Sequence, residues 1–301
     1  MPVSVQAEGQ KTLQGRVVLV AGATRGAGRG IAVALGEAGA TVYCTGRSVR
    51  GRPATAGRPE TIEETAELVS AGGGIGIPVQ VDHTVPEQVA ALFAQIEREQ
   101  AGRLDLLVND VWGGDELTDW SKRFWEQSLT DGLLMQQRAV HSHLITSYYG
   151  VPLLIARRQG LVIEITDGDT LDYRGNLFYD LAKNSAIRLA IALAHELRPH
   201  NVAAVALTPG VLRSEAMLDH FGVTEANWRA GAAQDPHFIA SETPHYIGRA
   251  VVALAADPNV MAKSGQALAT WGLVHEYGFT DADGSQPDWG AYFAAHVAGK
   301  M

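Results

Sequence analysis

The chain has 301 residues but only one cysteine, Cys44, so no disulfide can form within it. The first residues, MPVSVQAEGQKTLQGR, contain no apolar core of the kind that a secretory signal needs. No uncharged apolar run approaches the roughly 18 to 20 residues of a membrane-spanning helix. We therefore expect a reduced, cytoplasmic protein that does not span a bilayer.

Basic residues are also scarce, since 24 Lys and Arg stand against 33 Asp and Glu, for a formal net charge of −9. No basic block is long enough to follow a nucleic-acid backbone, which argues against nucleic acid and anionic membranes as partners. The hydrophobic content of 46% is enough for a large packed core. We expect a single domain over residues 1–301, because no linker of distinct composition divides the chain.

Short β-branched runs alternate with longer helical patterns, as in a parallel sheet with helices on both faces. The expected strands are 16–22, 40–46, 75–81, 104–110, 160–166, 201–210 and the late stretch GQALATW. The expected helices are 26–37, 62–70, 87–100, 132–158, 176–197 and 244–255. The pattern predicts an α/β fold of the Rossmann type, a doubly wound parallel sheet of seven strands.

Two stretches break this rhythm. Residues 48–59 are rich in Arg, Gly and Pro, whereas residues 211–243 are polar and irregular. Long excursions from a compact sheet are often functional loops. We expect 211–243 to be a lid over a substrate, and 48–59 to be either functional or an ordinary surface insertion.

The first expected strand runs directly into AGATRGAGRGIA, with glycines at positions 22, 26 and 28 before a helical pattern. Gly22 permits a tight turn, and the middle glycine lets backbone N–H groups approach a pyrophosphate. The helix N terminus adds a partial positive charge. This turn predicts a dinucleotide site at the first strand-to-helix junction.

The charges near the second strand favour NADP(H) over NAD(H). A site for NAD usually has an acid at the end of that strand, but Asp and Glu are absent from residues 38–59. Arg47 follows the strand and Arg25 lies in the glycine turn, so a 2′-phosphate would meet two guanidinium groups and no opposing carboxylate. Alternatively, the arginines form a solvated basic loop. Asp82 either binds the adenine amino group or caps the next helix.

Tyr179 and Lys183 form the clearest chemical pair, one helical turn apart after the fifth strand. A free phenol has a pKa near 10, so a nearby ammonium is needed to favour the phenolate for acid–base work. The two histidines at 141 and 143 lie about 200° apart around a helix, so they cannot bind one metal together and no metal site is expected.

At this point the sequence resembles the short-chain dehydrogenases/reductases. The resemblance rests on four stretches, AGATRGAG, LVND, YDLAK and TPGVLRS, and extends from about Gly15 to the end. Further stretches (TVYCTGR, GRLDLLVN, AHELR and HEYGFTDADG) are most similar to one branch of that family. The resemblance implies oxidoreduction between a carbonyl and a secondary alcohol on a small molecule.

The resemblance also implies roles for individual residues. Tyr179 would exchange a proton with the substrate oxygen, and Lys183 would stabilise the phenolate and bind the nicotinamide ribose. Asn109 would line the adenine-ribose side. A turn at 209–210 with Ser214 would hold the carboxamide. A homodimer or homotetramer would form through the two long helices.

The expected cofactor-binding residues come from five places in the chain. They are Gly22, Thr24, Arg25, Gly26, Ala27, Gly28, then Arg47, Ser48, Asp82, His83, then Asn109, and finally Pro209, Gly210, Val211 and Ser214.

The family pattern breaks at two positions. A serine that holds the substrate carbonyl stands twelve or thirteen residues before the tyrosine in the family, where this chain has Thr166 and Asp167. A carboxylate about 4 Å from a phenolate would repel it by about 4 kcal/mol at an effective dielectric constant near 20. In addition, the family's helix asparagine aligns with Gly132 here.

Three interpretations of the serine position stay open. Thr166 supplies the hydroxyl, Asp167 is protonated and donates, or the usual carbonyl reaction does not occur. The last corresponds to an alternative function, an NADP-binding sensor or scaffold with weak or no dehydrogenase activity. Trp112 is a candidate substrate wall, and the acids at 167, 169 and 172 with Arg174 either bind a polar substrate group or form a solvated loop.

Overall fold

The computed structural model describes residues 11–55 and 57–297, through which one parallel sheet runs. Its strands are β1 (Val17–Ala21), β2 (Thr41–Gly46), β3 (Ile75–Gln80), β4 (Leu106–Asn109), β5 (Gly160–Ile165), β6 (Val202–Thr208) and β7 (Ala267–Ala269). They lie in the order β3-β2-β1-β4-β5-β6-β7, and all neighbours are parallel. The order reverses between β1 and β4, where doubly wound sheets place a ligand crevice at their carboxyl ends.

Helices connect the strands and cover the sheet. They are α1 (Gly26–Glu37), α2 (Ile62–Ala71), α3 (Pro86–Glu99), α4 (Leu129–Gln136), α5 (Ser142–Arg157), α6 (Leu177–Leu197), α7 (Glu215–Phe221), α8 (Pro244–Ala256), α9 (Thr270–Tyr277) and α10 (Trp289–His296). In the part of the chain that the structure describes, none of these helices has the length and apolar character needed to cross a bilayer.

The sheet is buried on both faces, which explains why its strands read as continuous apolar runs. On one face, α1 and α8 pack against side chains such as Val18 and Val20. On the other, α3 and α5 pack against alternate residues such as Leu19 and Val162. The candidate site lies at the carboxyl ends of the strands, where residues such as Asp110 and Asp167 follow β4 and β5.

The predicted seven-stranded parallel sheet is confirmed, with strand ends within one or two residues for the first six strands. The long helix expected over 132–158 begins earlier, and a π-helical turn, Gln137–His141, joins α4 to α5. The last strand is shorter than expected, because α9 starts at Thr270. Helices α9 and α10 were not predicted.

The expected lid, 211–243, contains regular structure. It carries α7 and two 3₁₀ turns, Trp228–Ala233 and Pro236–Ala240. Three aromatic side chains, Phe221, Trp228 and Phe238, form a small apolar cluster inside it.

Some predicted residues lie outside the part of the chain that the structure describes. Residues 1–10 and 298–301 belong to the expected single domain, and residues 1–10 include most of the N-terminal stretch in which no secretory signal was found. Position 56 belongs to the excursion over 48–59.

A buried polar cluster joins β4, β5 and α5 beneath the crevice. Asn109 and Glu164 are register partners on adjacent strands, and Asn109 Nδ2 donates to Glu164 Oε1 at 2.7 Å. It also lies 2.9 Å from the Ser147 hydroxyl. His143 Nδ1 lies 2.7 Å from Glu164 Oε2, and its Nε2 lies 3.1 Å from the Val111 carbonyl oxygen.

The acceptors in this cluster determine which of its atoms carry protons. A carbonyl oxygen only accepts, so His143 Nε2 carries a proton. The contact between His143 Nδ1 and Glu164 holds a second proton, either as an imidazolium–carboxylate pair or as a carboxylic acid that donates to the ring. In both forms the cluster is neutral overall, and its hydrogen bonds join β4, β5 and α5, although the buried Asn109 Oδ1 has no partner among the described residues.

Glu164→Ala should therefore lower the free energy of unfolding by about 3 to 5 kcal/mol, because it leaves His143 and Asn109 buried without their partner. Glu164→Gln, which keeps an acceptor for Asn109, should cost less. Urea unfolding followed by circular dichroism measures both.

The matched control is Glu276→Ala, which removes a surface carboxylate that pairs with Lys263 at 2.7 Å. It should cost about 1 kcal/mol or less. Equal losses in Glu164→Ala and Glu276→Ala would show that the buried cluster does not stabilise the fold.

Candidate active site

The glycine turn between β1 and α1 forms the floor of the crevice. Gly22 has φ +93°, and the N–H groups of Gly22 and Ala23 both donate to the Thr45 carbonyl, at 3.0 and 2.9 Å. A Cβ atom at Gly28 would lie 2.3 Å from the Gly22 carbonyl oxygen. The turn thus needs glycine at both positions, and it brings the start of α1 against the strand ends.

An anion already occupies the N terminus of α1. The Gly26 N–H donates to Glu215 Oε2 at 2.8 Å, and Arg29 Nη1 lies 3.5 Å from Glu215 Oε1. Glu215 is the first residue of α7, which lies across the crevice. A carboxylate therefore stands in for a phosphate at this position, so the predicted seat accepts an anion.

The prediction that the arginines near β2 meet no carboxylate was wrong. Glu60 is buried and lies 3.5 Å from Arg25 Nε, and it also pairs with Arg58. The acid-free stretch ends at residue 59, and the next residue folds back between the two guanidinium groups. Burial lowers the pKa of Arg25, and the charge of Glu60 opposes this.

Arg47 has a longer contact to a carboxylate than Arg25 and Arg58 have. Its Nη1 lies 4.0 Å from Asp82, and its side chain is 37% exposed. Arg50 and Arg52 instead contact Glu67 at 2.5 Å and Gln80 at 3.0 Å on the surface, as the solvated-loop alternative predicts. The loop thus combines surface arginines with one arginine available to a ligand.

Ser48 and Asp82 shape the same region. Ser48 is buried, and its hydroxyl oxygen accepts the Ala54 N–H at 3.0 Å. Asp82 Oδ1 accepts from the Thr84 N–H and hydroxyl, at 2.9 and 2.7 Å. Burial opposes ionisation of Asp82, but the bonds from Thr84 and the charge of Arg47 outweigh it and hold the pKa below its usual value. Asp82 thus stabilises the turn before α3, and its second oxygen faces Arg47.

Two expected cofactor residues have side chains that are engaged inside the protein. His83 is buried, with Nε2 2.8 Å from the Thr45 hydroxyl and Nδ1 2.8 Å from the Thr146 hydroxyl. Burial lowers the pKa of His83 to about 3. Asn109 is fully buried in the cluster with Glu164. Both residues lie at or just beyond strand ends, and their side chains are bound within the protein, so their roles toward a cofactor stay a prediction.

The turn after β6 lies on the other side of the crevice. Gly210 N–H donates to Glu242 Oε2 at 3.0 Å, and Thr270 donates to the same oxygen at 2.8 Å. Burial raises the pKa of Glu242 to about 8, although these two hydrogen bonds oppose the rise. Ser214 caps α7 by accepting the Met217 N–H at 3.3 Å. This holds the turn in place.

The remaining residues expected to bind the cofactor lie close to these two turns. Val211 packs against the aromatic cluster of the lid. A Cβ atom at Gly26 would lie 3.8 Å from Ser214 Cβ, so the turn and the glycine loop face each other. Within the glycine loop itself, Thr24 and Ala27 are buried. Pro209 follows β6 directly.

Tyr179 and Lys183 lie on one face of α6, as predicted. The helix starts here because Asn176 Oδ1 accepts the Tyr179 N–H at 3.2 Å. Lys183 Nζ lies 3.9 Å from the centre of the Trp112 ring and 5.5 Å from that of Tyr179. Burial lowers the pKa of Lys183, and the charges of Asp167, Asp110 and Asp115 oppose this.

Two tryptophans surround the Tyr179 ring. Trp112 meets it edge to face at 5.4 Å, and Trp120 lies 5.1 Å away at a tilt. Trp112 Nε1 donates to Asp115 Oδ1 at 2.6 Å, which fixes the indole. Trp112 was expected as a wall, whereas Trp120 was missed because nothing in its sequence neighbourhood sets it apart.

The structure separates the two candidates for the serine position. The Tyr179 hydroxyl donates to Asp167 Oδ2 at 2.8 Å. Thr166 is buried, and its hydroxyl donates to the Lys183 carbonyl oxygen at 2.7 Å, one turn further along α6. Asp167 therefore contacts the phenol, whereas Thr166 ties β5 to α6. Burial raises the pKa of Tyr179, and the charge of Asp167 and its hydrogen bond raise it further.

The position aligned with the family's helix asparagine has no space for a side chain. A Cβ atom at Gly132 would lie 2.4 Å from the ring of Phe178. Gly132 thus lets α4 pack closely against α6, just before Tyr179. A relay through an asparagine at this position is absent from the chain.

Two acids near the site were missed by sequence reasoning. Glu215 reaches α1 from 189 residues away, and no local pattern predicts that contact. Asp110 follows Asn109 directly, and the LVND stretch could have drawn attention to it. Burial raises the pKa of Asp110 to about 7, against the opposing charges of Lys183 and His143. Asp110 is thus a buried titratable group close to Lys183.

Comparisons with known proteins agree with this geometry. A family model described as "short chain dehydrogenase" matches residues 16–221. Human "Dehydrogenase/reductase SDR family member 1" is 37% identical over 281 residues, 90% of this chain and 85% of the relative. The mouse protein of that name is 37% identical over 276 residues, with the same coverage. This is the branch that the stretches TVYCTGR and HEYGFTDADG indicated.

Solved structures show the same fold. A short chain dehydrogenase from Mycobacterium thermoresistibile superposes with a TM-score of 0.76 over 92% of each chain, at 23% identity.

Proposed function

The chain belongs to the short-chain dehydrogenases/reductases, and on that premise we propose that it is an NADP(H)-dependent oxidoreductase that interconverts a carbonyl and a secondary alcohol. The observation that carries this proposal is the placement of Tyr179 and Lys183 at the carboxyl edge of the sheet. Asp110 links the pair to the glycine turn, because its charge acts on Lys183 and its carbonyl oxygen lies 2.5 Å from where a Cβ atom at Gly22 would be. The acid–base pair and the dinucleotide seat thus belong to one site.

The residues of the chain divide the work as follows. Tyr179 holds or accepts a proton at its hydroxyl, opposite the substrate oxygen. The Lys183 ammonium, on the face of Trp112, lowers the cost of a phenolate at Tyr179. Hydride transfer to or from a nicotinamide ring is the chemistry that the cofactor supplies when bound. Trp112 and the lid over 211–243 keep water from the reacting groups.

The cofactor would be held by groups on both sides of the crevice. The α1 N terminus and Arg29 would bind the pyrophosphate, where they now hold the Glu215 carboxylate. The turn at Gly210 and Ser214 would hold the nicotinamide end. Glu215 must then leave its present contacts, because one N–H group cannot donate fully to two anions.

The preference for NADP(H) is supported by charge. Arg47 stands at the end of β2 with its guanidinium partly exposed. Glu60 neutralises much of Arg25 and Arg58, so we assign the 2′-phosphate to Arg47 first. A guanidinium binds phosphate through two parallel N–H donors, which an NAD ribose does not need.

A second candidate function is an NADP-binding protein with weak or no dehydrogenase activity. One observation favours it, the bond from the Tyr179 hydroxyl to Asp167, which disfavours the phenolate. Against it, Tyr179 and Lys183 retain the positions that the chemistry requires. We therefore prefer the enzyme.

We also propose that the chain forms a homodimer or homotetramer through its long helices. Several apolar side chains on α4, α5 and α6 are exposed, including Leu133, Leu144, Tyr148 and Leu181. Burying such residues against a second copy would remove them from water. Sedimentation of the purified chain as a monomer at micromolar concentration would exclude this assembly.

The enzyme proposal predicts that the purified protein oxidises NADPH in the presence of some ketone, aldehyde or quinone. Tyr179→Phe should lower kcat by about 10² to 10⁴-fold, because the proton donor is lost. NADPH binding, followed by fluorescence, should change little.

Tyr173→Phe is the matched control, since Tyr173 is an exposed tyrosine on the neighbouring loop. Tight NADPH binding without turnover on any carbonyl would favour the sensor or scaffold instead. Full activity in Tyr179→Phe would remove Tyr179 from the chemistry.

Arg47→Asp should shift the cofactor preference from NADPH toward NADH. A lost charge-assisted bond of about 1.5 to 3 kcal/mol corresponds to about 10- to 100-fold in the ratio of dissociation constants. Arg52→Asp, a surface change on the same loop, serves as control. An unchanged ratio in Arg47→Asp would show that another group reads the 2′-phosphate.

Glu215→Gln should tighten NADPH binding by about two- to tenfold, since a neutral amide competes less well with phosphate for a helix N terminus. Fluorescence titration gives the dissociation constants. Glu225→Gln is the control, because Glu225 lies in the same segment but pairs with Arg213 at 2.9 Å. Weaker NADPH binding in Glu215→Gln would mean that Glu215 supports the bound state.

A further inference from the structure

The contact between Tyr179 and Asp167 presents a donor and an acceptor side by side. The Tyr179 hydroxyl and Asp167 Oδ2 are 2.8 Å apart, and Asp167 is exposed, so a ligand can reach both. The family resemblance implies a serine hydroxyl near this position, which donates to the substrate oxygen. A carboxylate only accepts. A substrate that fits here needs an acceptor for Tyr179 and, next to it, a donor for Asp167.

The walls around this pair suit a cation. Trp112 already has the Lys183 ammonium 3.9 Å from its ring centre, and a second indole, Trp120, lies 5.1 Å from the Tyr179 ring. Trp120 is 60% exposed, so much of its surface is free for a ligand. Aromatic faces attract ammonium groups, most strongly where water is excluded.

Among residues 11–55 and 57–297, no basic nitrogen lies within salt-bridge distance of the Asp167 carboxylate. The buried Lys183 ammonium is close enough to attract this carboxylate, but it does not contact it. The nearby Arg174 guanidinium makes its hydrogen bonds to other groups of its own loop and of α6. It donates to the Asp167 carbonyl at 2.5 Å, to the Thr170 carbonyl at 2.7 Å and to Asn184 Oδ1 at 2.7 Å. A bound substrate would cover Asp167, and a covered carboxylate needs a counter-charge.

We propose that the substrates are vicinal amino alcohols and the corresponding α-amino ketones, with the protonated amine bound by Asp167 and the oxygen by Tyr179. The inference rests on the proposed oxidoreductase function and names its substrate class. In the oxidation, the carbinol C–H bond breaks and its hydride reduces NADP⁺ to NADPH. The hydroxyl proton passes to the Tyr179 phenolate, and the C–O bond becomes a carbonyl. The amine keeps its proton throughout.

The substrate ammonium would also make it easier for Tyr179 to ionise, which the Asp167 charge hinders. The Asp167 charge adds to the effect of burial in raising the pKa of Tyr179. A cation on Asp167 offsets that charge, so ionisation of the phenol becomes easier when the right substrate is bound. A hydroxyl or methyl group in the same place carries no charge and gives no such help. The same contact therefore binds the substrate and selects it.

Oxidation of a matched series by the full chain with NADP⁺ tests the proposal. The probes are phenylethanolamine, 1-phenyl-1,2-ethanediol and 1-phenyl-1-propanol. They share the carbinol next to the phenyl ring, and the next carbon carries an amine, a hydroxyl or a methyl group. At neutral pH, kcat/KM should be at least about tenfold higher for the amine than for the methyl compound. Equal values for the three alcohols would overturn the proposal.

Variants locate the effect at Asp167. Asp167→Asn should abolish the preference for the amine, and Asp167→Ser, which restores a hydroxyl donor, should favour the uncharged alcohols. Glu116→Gln is the control, because Glu116 is an exposed acid on the 3₁₀ turn Asp115–Leu117, close in sequence to Trp112, and has no assigned role in the site. It should keep the wild-type preference. A preference that survives in Asp167→Asn would exclude Asp167 as the amine-binding group.

A binding measurement tests the amine site independently of the proposed oxidoreductase activity. Quenching of tryptophan fluorescence by phenylethanolamine should be saturable, and the dissociation constant should rise about tenfold or more in Asp167→Asn. If NADPH binds but no carbonyl or alcohol reacts, the oxidoreductase proposal fails while this titration still reports on the amine site. If uncharged alcohols react and phenylethanolamine neither binds nor reacts, the substrate class is wrong and the oxidoreductase stands.

Discussion

The hydrogen bond from the Tyr179 hydroxyl to the Asp167 carboxylate governs the candidate active site. Tyr179 can act as a base only as a phenolate, which a neighbouring carboxylate disfavours and the Lys183 ammonium favours. The outcome depends on what covers Asp167. Thr166 does not contact the phenol, because its hydroxyl donates to the Lys183 carbonyl and ties β5 to the helix that carries Tyr179 and Lys183. In the proposed reaction, one acidic side chain thus links substrate choice to proton transfer.

A second carboxylate controls the other end of the crevice in a similar way. Glu215 bonds to the α1 N terminus, and Asp219, one turn later on α7, pairs with Arg58 at 2.5 Å. Helix α7 is therefore tied by two acids to the N terminus of α1 and to Arg58. Beneath both ends, the cluster of Glu164, His143 and Asn109 holds the strand ends rigid. Acidic residues set the state of this crevice at both ends and at its base.

The sequence predicted whatever depends on local pattern. Apolar runs gave the seven strands, and the four-residue spacing of Tyr179 and Lys183 placed them on one helix face. It did not predict contacts that depend on the tertiary fold. Examples are Glu60, which lies between two arginines, and Glu215, which binds the N terminus of α1. It also left Thr166 and Asp167 open, because spacings of twelve and thirteen residues both suit the family pattern, and only the exit direction of β5 separates them.

The pH dependence of kcat/KM for alcohol oxidation, in the wild type and in Asp167→Asn, tests the account most directly. Oxidation needs the phenolate, so the rate rises with pH as Tyr179 ionises. Removing the neighbouring negative charge makes ionisation easier, and the rising limb should move to lower pH by about one to three units. A limb that stays in place, or moves to higher pH, would show that Asp167 does not govern Tyr179.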